Sequence, residues 1–438
     1  MIKLKKEDTK EENRMKSQGV IYTNKEKGIT LVALVVTIII LVILAGVSVN
    51  MVIGNNGIMQ KAKKAKENME LASAEEQVDL NKIVEHIENN IKEPEEPEVT
   101  PTTTIAELKG GSYVSKLTVA KDSNDNIVRI PKGFKVASDS GINVTEGIVI
   151  EDGDVKAGKG NNRGNQYVWI PVGNGIKKSD GTTVNITLGR YIFADGRYDK
   201  DTNGNVLAKG TPILKQDAAN YTQEVEISYN NKRYKELSTS RTGAASNGTD
   251  GLNTTALNLK GFVDSVKANG GYYIARYEAS YGTDKKANSK VSNTYANSTS
   301  NKEGQLWNNI TQINAATASR NLYTGVKSDL INSYAWDTAI VYIQNFSGDT
   351  DYSKQNSLNE HFANTGTNSD EKCKINDMAS NTFEWTTEYC TSTDSSSAYP
   401  CTGRGGDFII SSSCTDHRDS GDATYSFYSD SFRCALYM

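Results

Sequence analysis

A long apolar block follows the first 28 residues, and beyond it apolar residues recur at shorter intervals. No charged residue occurs between Gly28 and Gln60, and residues 29–49 are almost wholly apolar. At 1.5 Å of rise per residue this segment makes roughly 30 Å of helix, which matches the hydrocarbon core of a bilayer. The pattern predicts a transmembrane helix, since the apolar region of a signal peptide spans only about 7–15 residues.

A second helical pattern follows the apolar block. Apolar residues recur every three or four positions from Ile58 to Ile91, with charges on the other faces. This spacing predicts an amphipathic stalk, so that 29–91 comprises a transmembrane helix and a stalk. The stalk would either pack on its own globular domain or pair with another copy. Prolines at 94, 97 and 101 exclude a helix and predict an extended linker at 92–104.

Beyond the linker, short apolar alternations are separated by clusters of Gly, Asn and Asp, a pattern typical of strands joined by loops. Two segments, 259–268 and 332–345, have helical spacing instead. We divide this part into a small β-rich segment at 105–164 and a head at 165–438. The predicted fold class is α+β, with an N-terminal transmembrane helix followed by a loop-rich head.

Net charge argues against a nucleic-acid partner. The 438 residues carry a formal charge of −4. Residues 1–28 hold eight Lys and Arg against five Asp and Glu, so the rest of the chain is near −7. Because nucleic-acid binding depends on positive charge, we predict no nucleic-acid partner.

The junction before the apolar block carries a recognisable motif. Lys27-Gly28-Ile29-Thr30-Leu31-Val32 resembles the leader of type IV prepilins. The resemblance implies that a prepilin peptidase cuts the cytoplasmic leader 1–28 after Gly28 and that Ile29 is then methylated. It also implies a head outside the cell membrane and pilus subunits as partners. The glutamate of the family is Ala33 here, so polymerisation and a plain anchor both stay open.

Several phrases of the head occur in a fixed order. They are YVWIPVG at 167–173, GYYIARYEA at 271–279, the segment 315–320 with SYAWD at 333–337, MASNTFEWT at 378–386, Arg404-Gly405-Gly406 and Phe432-Arg433. In this order they resemble the formylglycine-generating enzyme domain, a variant of the C-type-lectin fold. The resemblance implies a lectin-like head over about 165–438. It also implies structural roles, as core aromatic, loop glycines and loop-anchoring arginines, for Trp385, Arg404, Gly405, Gly406 and Arg433.

The same resemblance bears on catalysis. The aerobic formylglycine enzymes bind copper through two cysteines shortly after Arg-Gly-Gly, and thiolates are suitable soft ligands for Cu(I). Ungapped counting puts those thiols at Ile410 and Thr415, and Cys414 is one residue away. The three histidines, at 86, 361 and 417, lack metal-binding pair spacing. We therefore predict that the chain is not an enzyme. The alternative, an oxidative protein-modifying enzyme, would be revived by copper loading.

All five cysteines lie in the last 66 residues, at 373, 390, 401, 414 and 434. In an exported domain this clustering predicts one or two disulfides that pin long loops. The alternative is that all five are buried as small apolar residues.

The C-terminal segment has an unusual composition. Residues 405–437 lack Lys, Glu, Gln, Trp, Met and Asn and are dense in Ser, Asp, Tyr and Phe. Ser and Asp give adaptable hydrogen bonds and Tyr gives rigid contact area, as on antibody-like recognition surfaces. We hypothesise a binding face at 407–430, with a loop-rich edge of a β-domain as the alternative. The candidate ligand-binding residues are Asp407, Ser411, Ser413, Asp416, His417, Asp419, Tyr425, Tyr428 and Asp430.

The lectin-like resemblance adds two expectations. Some relatives are diversified in this segment by retroelements that mutate adenines, and residues reachable from an Asn codon in that way nearly exhaust the segment. A near-identical Asn-rich DNA copy beside a reverse-transcriptase gene would support diversification, and its absence would contradict it. The family also uses oxygen ligands near MASNTFEWT, so Asn381 and Glu384 are candidate Ca²⁺ ligands.

The predicted function is that of a surface-displayed, prepilin-like binding protein. It would act as an adhesin or minor pilin and recognise an unknown protein or glycan through the C-terminal face. The alternatives are the oxidative enzyme and a purely structural pilin subunit.

Overall fold

Alternating apolar residues dominate the part of the chain that the structure, a computed structural model, describes. The described residues are 100–153, 163–223, 225–236, 259–282, 284–292, 294–295, 302–356, 364–367, 370–391, 400–410, 412–422 and 424–438. The predicted leader, the processing site Gly28–Ile29, the transmembrane helix and the stalk lie outside them. Among the helices of the described ranges, none is both long and apolar enough to cross a membrane.

The strands are short and numerous. In chain order they are β1 (Thr103–Thr104), β2 (Thr118–Lys121), β3 (Ile127–Ile130), β4 (Lys135–Val136), β5 (Val149–Glu151), β6 (Gln166–Pro171), β7 (Gly173–Lys177), β8 (Thr183–Ile186), β9 (Gly189–Phe193), β10 (Pro212–Asp217), β11 (Ile227–Tyr229), β12 (Lys232–Lys235), β13 (Gly271–Ala275), β14 (Ser280–Tyr281), β15 (Ala287–Asn288), β16 (Thr294–Tyr295), β17 (Gln305–Leu306), β18 (Lys327–Leu330), β19 (Glu371–Lys372), β20 (Ile375–Asn376), β21 (Phe383–Cys390), β22 (Cys401–Arg404), β23 (Arg418–Gly421), β24 (Asp430–Phe432) and β25 (Cys434–Tyr437).

The described helices are α1 (Ile105–Leu108), α2 (Leu259–Asn269), α3 (Gln312–Ser319) and α4 (Ser333–Phe346), with 3₁₀ turns at Ala218–Asn220 and Tyr352–Lys354. Helix α4 begins where Asn332 caps it, since the Asn332 side chain accepts a hydrogen bond from the Ala335 N–H at 2.9 Å. The spacing-based predictions at 259–268 and 332–345 coincide with α2 and α4.

The predicted α+β class is wrong. About 15% of the structure is helical and most of the regular structure is β-sheet. The class was wrong because the helical pattern at 29–91 supplied most of the expected helix, and this pattern lies outside the described residues. The transmembrane, prepilin-like element is therefore no part of the described fold, in which the period-two pattern prevails.

A six-stranded sheet forms the centre of the fold, in the order β18-β25-β13-β6-β5-β4. Strand β6, with the sequence QYVWIP, is buried along its whole length. The C-terminal strand β25 lies between β18 and β13. Strands from both sides of residue 165 share this sheet, and residues 99–438 form one compact unit.

Buried aromatic residues pack on both faces of this sheet. Trp169, Tyr272, Tyr273 and Trp336 are each fully buried, and the rings of Trp169 and Tyr273 pack together on one face. Two contacts lie on the face towards α4: the Tyr272 hydroxyl donates to the Ala335 carbonyl at 2.6 Å, and the Trp336 indole N–H donates to the Thr415 carbonyl at 3.0 Å. The second of these bonds ties the C-terminal segment to the core.

A second sheet carries the candidate site. Its order is β11-β12-β21-β22-β23, and β24 pairs with β21 in parallel. Strand β21 spans eight residues and lies next to three others. Its position at the centre of this sheet makes it the scaffold for everything described below.

No disulfide bond connects the five cysteines, all of which are described. Cys373, Cys390, Cys401 and Cys434 are buried, and Cys414 is half-buried. The expectation of disulfides is wrong, and four of the five cysteines are buried as the alternative has it. Cysteine is a small apolar residue and packs into the core without needing a partner sulfur.

Candidate functional site

The sheet around β21 has two different faces. Successive side chains of a strand point to opposite faces, so Phe383 and Trp385 share one face and Glu384 faces the other way. In register, Glu384 pairs with Arg404 of β22, and Arg404 pairs with Arg418 of β23. The face carrying these charged residues is called the ionic face, and the face carrying Phe383 and Trp385 the apolar face.

Five fully buried charged groups form a network on the ionic face. Glu388 forms ion pairs with Arg190 at 2.6 Å, with Arg418 at 3.1 Å and with Arg404 at 3.4 Å. Asp337 of α4 forms ion pairs with Arg404 at 2.5 Å and with Arg418 at 2.7 Å. Burial alone would raise the pKa of Glu388, but Arg418, Arg190 and Arg404 lower it to about 2. Glu388 therefore stays ionised, and the network joins β9, α4, β21, β22 and β23.

A second buried pair lies beside this network. The Arg433 guanidinium binds both carboxylate oxygens of Glu384, with its Nε 2.6 Å from Oε2. Arg433 also donates to the Asn376 carbonyl at 2.9 Å. Both residues of the pair are fully buried. This bidentate contact fixes the end of β24 beside β21, its neighbour in the sheet.

Two glycines bring the loop after β22 close to the backbone of 378–380. Gly405 has φ of +89°, a conformation that glycine adopts easily. A Cβ at 405 would lie 2.7 Å from the Met378 carbonyl oxygen, and one at Gly406 would lie 2.2 Å from that of Ala379. The close approach sets the position of Asp407, the next residue along the chain.

We expect Gly405→Ala to lower the free energy of unfolding by about 2–3 kcal/mol, because both the backbone conformation and the contact with Met378 become unfavourable. Gly133→Ala is the matched control: φ is +87° there, but nothing lies within 4 Å of the new Cβ. Urea unfolding of both variants measures the two effects. Equal losses at the two positions would contradict a steric contribution at Gly405.

A cleft of about 310 Å³ opens on the apolar face. Its volume lies at the lower end of the range for small-molecule sites. Among the described residues, ten large apolar side chains are exposed, and Ile409, Ile410, Tyr425 and Phe427 are four of them. All four line this cleft. Exposed apolar side chains are therefore concentrated at one place, which is typical of a binding surface.

The floor of the cleft is rigid and aromatic. The Trp385 indole N–H donates to the Ile310 carbonyl at 2.8 Å, and this bond fixes the ring. The Tyr425 ring lies nearly perpendicular to it, at 6.5 Å and 87°. Gly421 is packed so closely that a Cβ there would lie 2.5 Å from the Trp385 ring. Phe383 and Gly403 complete the floor.

Two buried carboxyl groups in the wall of the cleft are incompletely bonded. Asp407 is 1% exposed, and its Oδ1 accepts from the Ile410 N–H at 2.8 Å. Asp430 is 5% exposed. The Oδ2 atoms of both residues are buried without a hydrogen-bond partner in the described structure. Leaving such groups unpaired is costly, so they are expected to serve a purpose other than stability.

Burial raises the pKa values of both carboxyl groups, and the charge of Asp407 adds to the increase at Asp430. Burial raises the pKa of Asp430 to about 8, and the nearby charges of Asp407 and Asp419 contribute to the increase. Burial also raises the pKa of Asp407. Asp419 differs, because it is half-exposed and pairs with Lys232 at 3.0 Å. The wall of the cleft therefore holds two acidic groups that no described cation neutralises.

The structure brings four of the predicted ligand-binding residues together around the cleft, namely Asp407, Asp419, Tyr425 and Asp430. Ser411 lies outside the described residues. The other predicted residues do not line the cleft. Ser413 is buried. Asp416 pairs with Lys354 at 2.6 Å.

His417 and Tyr428 also lie away from the cleft. His417 stacks on Phe383 at 5.5 Å, and burial lowers its pKa. The Tyr428 ring packs on Phe408 and Phe427, and its carbonyl accepts from Asn308 at 2.8 Å. Both side chains hold the loop in place behind the residues that face the cleft.

The candidate Ca²⁺ ligands are engaged with protein groups. Both oxygens of Glu384 bind Arg433, and the Asn381 amide donates to Glu278. Within the described ranges, no group of three or more His, Cys, Asp or Glu side chains could hold a metal ion. The geometry gives the calcium hypothesis no support.

The environment of Cys414 does not favour reactivity. Its thiol donates to Asp416 at 3.0 Å. Burial, together with the charge of Asp416, raises the pKa of the Cys414 thiol to about 12. The thiolate is the reactive form and the metal ligand, so this cysteine is poorly suited to copper or nucleophilic chemistry.

Sequence reasoning missed the apolar members of the site. The candidate list contains none of Ile409, Ile410 and Phe427, because the recognition argument depends on Ser, Asp and Tyr, and it gives Trp385 only a core role. The available signal was large apolar residues within a loop-forming stretch rich in Ser and Asp, where burial is not expected.

Comparison with known proteins gives little further information. No family model and no curated protein matches the chain. A solved structure described as the crystal structure of CarF aligns with 38% of this chain and 87% of its own, at 12% identity and a TM-score of 0.29. A similarity of this size carries no argument about fold or function. The resemblance to formylglycine-generating enzyme domains stays a prediction.

Proposed function

We propose that the cleft on the apolar face binds a ligand and that the segment 407–430 acts as a recognition surface. The observation that carries the proposal is the concentration of Ile409, Ile410, Tyr425 and Phe427 around one cleft. Covering apolar surface yields about 25 cal/mol for each Å² removed from water, so an occupant of this cleft gains binding energy directly.

The chemistry of the segment supports recognition. Tyr and Phe offer large contact areas at low conformational cost, and Ser and Asp around them offer hydrogen bonds in several directions. The rings of Tyr425 and Phe427 stack on each other at 5.8 Å and 27°, so the rim is partly preorganised. Preorganisation lowers the loss of conformational entropy on binding.

The arrangement also separates binding from folding. The network around Glu388 lies on the ionic face, and the cleft lies on the opposite face of the same strands. Side chains at the rim can therefore be chosen for a ligand without disturbing the buried ion pairs. A protein or a glycan is the expected class of ligand, and display at the cell surface stays a prediction.

Filling the cleft tests the proposal. A Cβ at Gly403 would lie 3.6 Å from the Phe383 Cβ, an ordinary contact, so a side chain can start there, and Gly403→Val adds methyl groups at the floor of the cleft. We screen the wild-type chain on a glycan array and against a displayed peptide library, and expect Gly403→Val to weaken the selected ligands at least about tenfold. The melting temperature should change by only about 2 °C.

Tyr198→Ser is the control, because Tyr198 is an aromatic residue that is 80% exposed and does not line the cleft. This variant should bind the selected ligands as the wild type does. The proposal is overturned if the array and the library yield no ligand, or if Gly403→Val binds their ligands as tightly as the wild type.

A retroelement origin for the variability of this segment also stays a prediction. It is tested by the genomic search for an Asn-rich copy described above, independently of the binding experiment.

A further inference from the structure

This inference rests on the proposed function and names the chemistry of the ligand. We infer that the cleft takes an organic cation, a protonated amine or guanidinium carried on an apolar or aromatic group. The juxtaposition that carries it is a pair of buried carboxyl groups, Asp407 and Asp430, with unpartnered oxygens in the wall of an aromatic cleft.

The missing partner of these carboxyl groups is a hydrogen-bond donor with positive charge. Other buried carboxylates in the described structure have partners on both oxygens: Arg433 binds Glu384, and hydroxyl and amide donors bind Glu236 and Glu278. Asp407 and Asp430 each keep one buried oxygen without a partner, and Lys232, which reaches Asp419 in this wall, is taken by Asp419 and Ser420. A ligand cation would displace the proton that Asp430 otherwise keeps below about pH 8, and its N–H groups would then bond to the orphaned oxygens.

The aromatic walls favour the same ligand. Phe383, Trp385, Tyr425 and Phe427 line the cleft, and Trp385 and Tyr425 meet nearly at a right angle. The faces of aromatic rings attract cations, and tryptophan does so most strongly. The hydrocarbon part of an organic amine would cover Ile409 and Ile410 at the rim. One cleft thus offers a partner for each half of the molecule.

A metal ion fits this site less well. No metal-binding group of acidic side chains exists among the described residues, so Asp407, Asp419 and Asp430 do not converge on one point. A divalent cation also requires six to eight oxygen ligands, whereas this cleft is lined largely by hydrocarbon. An organic cation needs one or two acceptors and gains from apolar walls.

The experiment compares probes of one shape and different charge. Phenethylamine, 2-phenylethanol and phenylacetate are titrated calorimetrically into the full chain, together with CaCl₂ and the amides of acetyl-lysine and acetyl-arginine. We expect phenethylamine to bind at least about tenfold more tightly than the alcohol and phenylacetate not to bind. Asp430→Asn should lower amine affinity at least about tenfold and leave the alcohol unchanged, while Asp201→Asn, in an exposed turn outside the cleft, should change neither.

The amino acid amides identify the source of the cation. Tighter binding of acetyl-lysine or acetyl-arginine amide indicates a side chain of a partner protein, and tighter binding of phenethylamine indicates a small free amine. Either result supports the inference. The inference is overturned if the alcohol binds as tightly as the amine, if Asp430→Asn leaves amine affinity unchanged, or if Ca²⁺ binds in an Asp430-dependent way.

Failure of this inference differs from failure of the proposed function. If Gly403→Val abolishes binding of amine and alcohol alike and their affinities are equal, the cleft is a binding site without charge selectivity. If no probe binds but the array yields a ligand sensitive to Gly403→Val, the inference fails alone. If neither screen yields a cleft-dependent ligand, both fail.

Discussion

Replacing Glu388 with glutamine is expected to lower the free energy of unfolding by about 3–5 kcal/mol, a large part of the stability of a typical domain. Glu388 contacts Arg190, Arg404 and Arg418, and all of these side chains are fully buried. In the variant, three buried guanidinium groups would share the single negative charge of Asp337. Uncompensated charge in a low-dielectric interior is among the most destabilising changes that one substitution can make.

Glu226→Gln is the control for this experiment. Glu226 pairs with Arg233 at 3.2 Å, but the two side chains are 30% and 45% exposed. The same chemical change should therefore cost at most about 1 kcal/mol there. Both variants are measured by urea unfolding followed by circular dichroism. Similar losses at the two positions would contradict the claim that buried charge, and not loss of a carboxylate, determines the effect.

A double variant tests whether the network acts as a unit. Arg190→Met removes one of three cations and leaves two guanidiniums with two carboxylates. Added to Glu388→Gln, it removes part of the excess positive charge. We expect the double variant to be less destabilised than the sum of the single variants by about 1–3 kcal/mol. Simple additivity would contradict the coupled network.

Asp430→Asn should have the opposite sign and make the protein more stable at alkaline pH. The pKa of Asp430 is raised from its ordinary value of 3.8 to about 8 by burial and by the charges of Asp407 and Asp419. Between about pH 4 and pH 8 the unfolded chain releases this proton while the folded protein retains it. Stability therefore falls across this window as pH rises, by at most about 1.4 kcal/mol for each pH unit.

Asparagine carries no proton that titrates here, so the advantage of the variant should grow from near zero at pH 4 to about 5–6 kcal/mol at pH 9. Melting temperatures measured from pH 4 to pH 9 report the trend. Asp201→Asn is the control, because the pKa of Asp201 is lowered by its hydrogen bonds to Asn205. A constant difference between Asp430→Asn and the wild type across this range would contradict the raised pKa.

The carboxyl groups of Glu388 and Asp430 show how stability and binding compete. Glu388 is fully matched and holds five elements together. Asp430 lies one strand away on the other face, and its unpartnered oxygen weakens the fold. Buried groups that lower the stability of the fold in this way are commonly found at functional sites.

Local patterns predicted the parts of the fold that depend on local periodicity. The spacing of apolar residues indicated α2 and α4, and the composition of 407–430 drew attention to the segment that lines the cleft. The same reasoning gave a wrong fold class, because it weighed the apolar block at 29–49 together with a head whose described part is mostly β-sheet.

Non-local pairing accounts for what the sequence did not reveal. Arg190 and Glu388 are 198 positions apart, and nothing in either segment marks them as partners. Asp430 comes to lie beside Phe383 only because β24 pairs in parallel with β21. Parallel pairing requires a long connection and leaves no short-range signature, so neither the network nor the convergence of carboxyl groups with aromatic rings could be predicted.

The alternation along β21 has a consequence for how this protein can evolve. Phe383 and Trp385 line the cleft and would contact its ligand, while Glu384 between them binds Arg433. A mutational scan of this strand should therefore show loss of ligand binding at Phe383 and Trp385, beyond any loss of stability, and loss of stability alone at Glu384. Because the exposed rim of the cleft and the ion pairs lie on opposite faces of these strands, substitutions at the rim can change specificity without a compensating change in the interior.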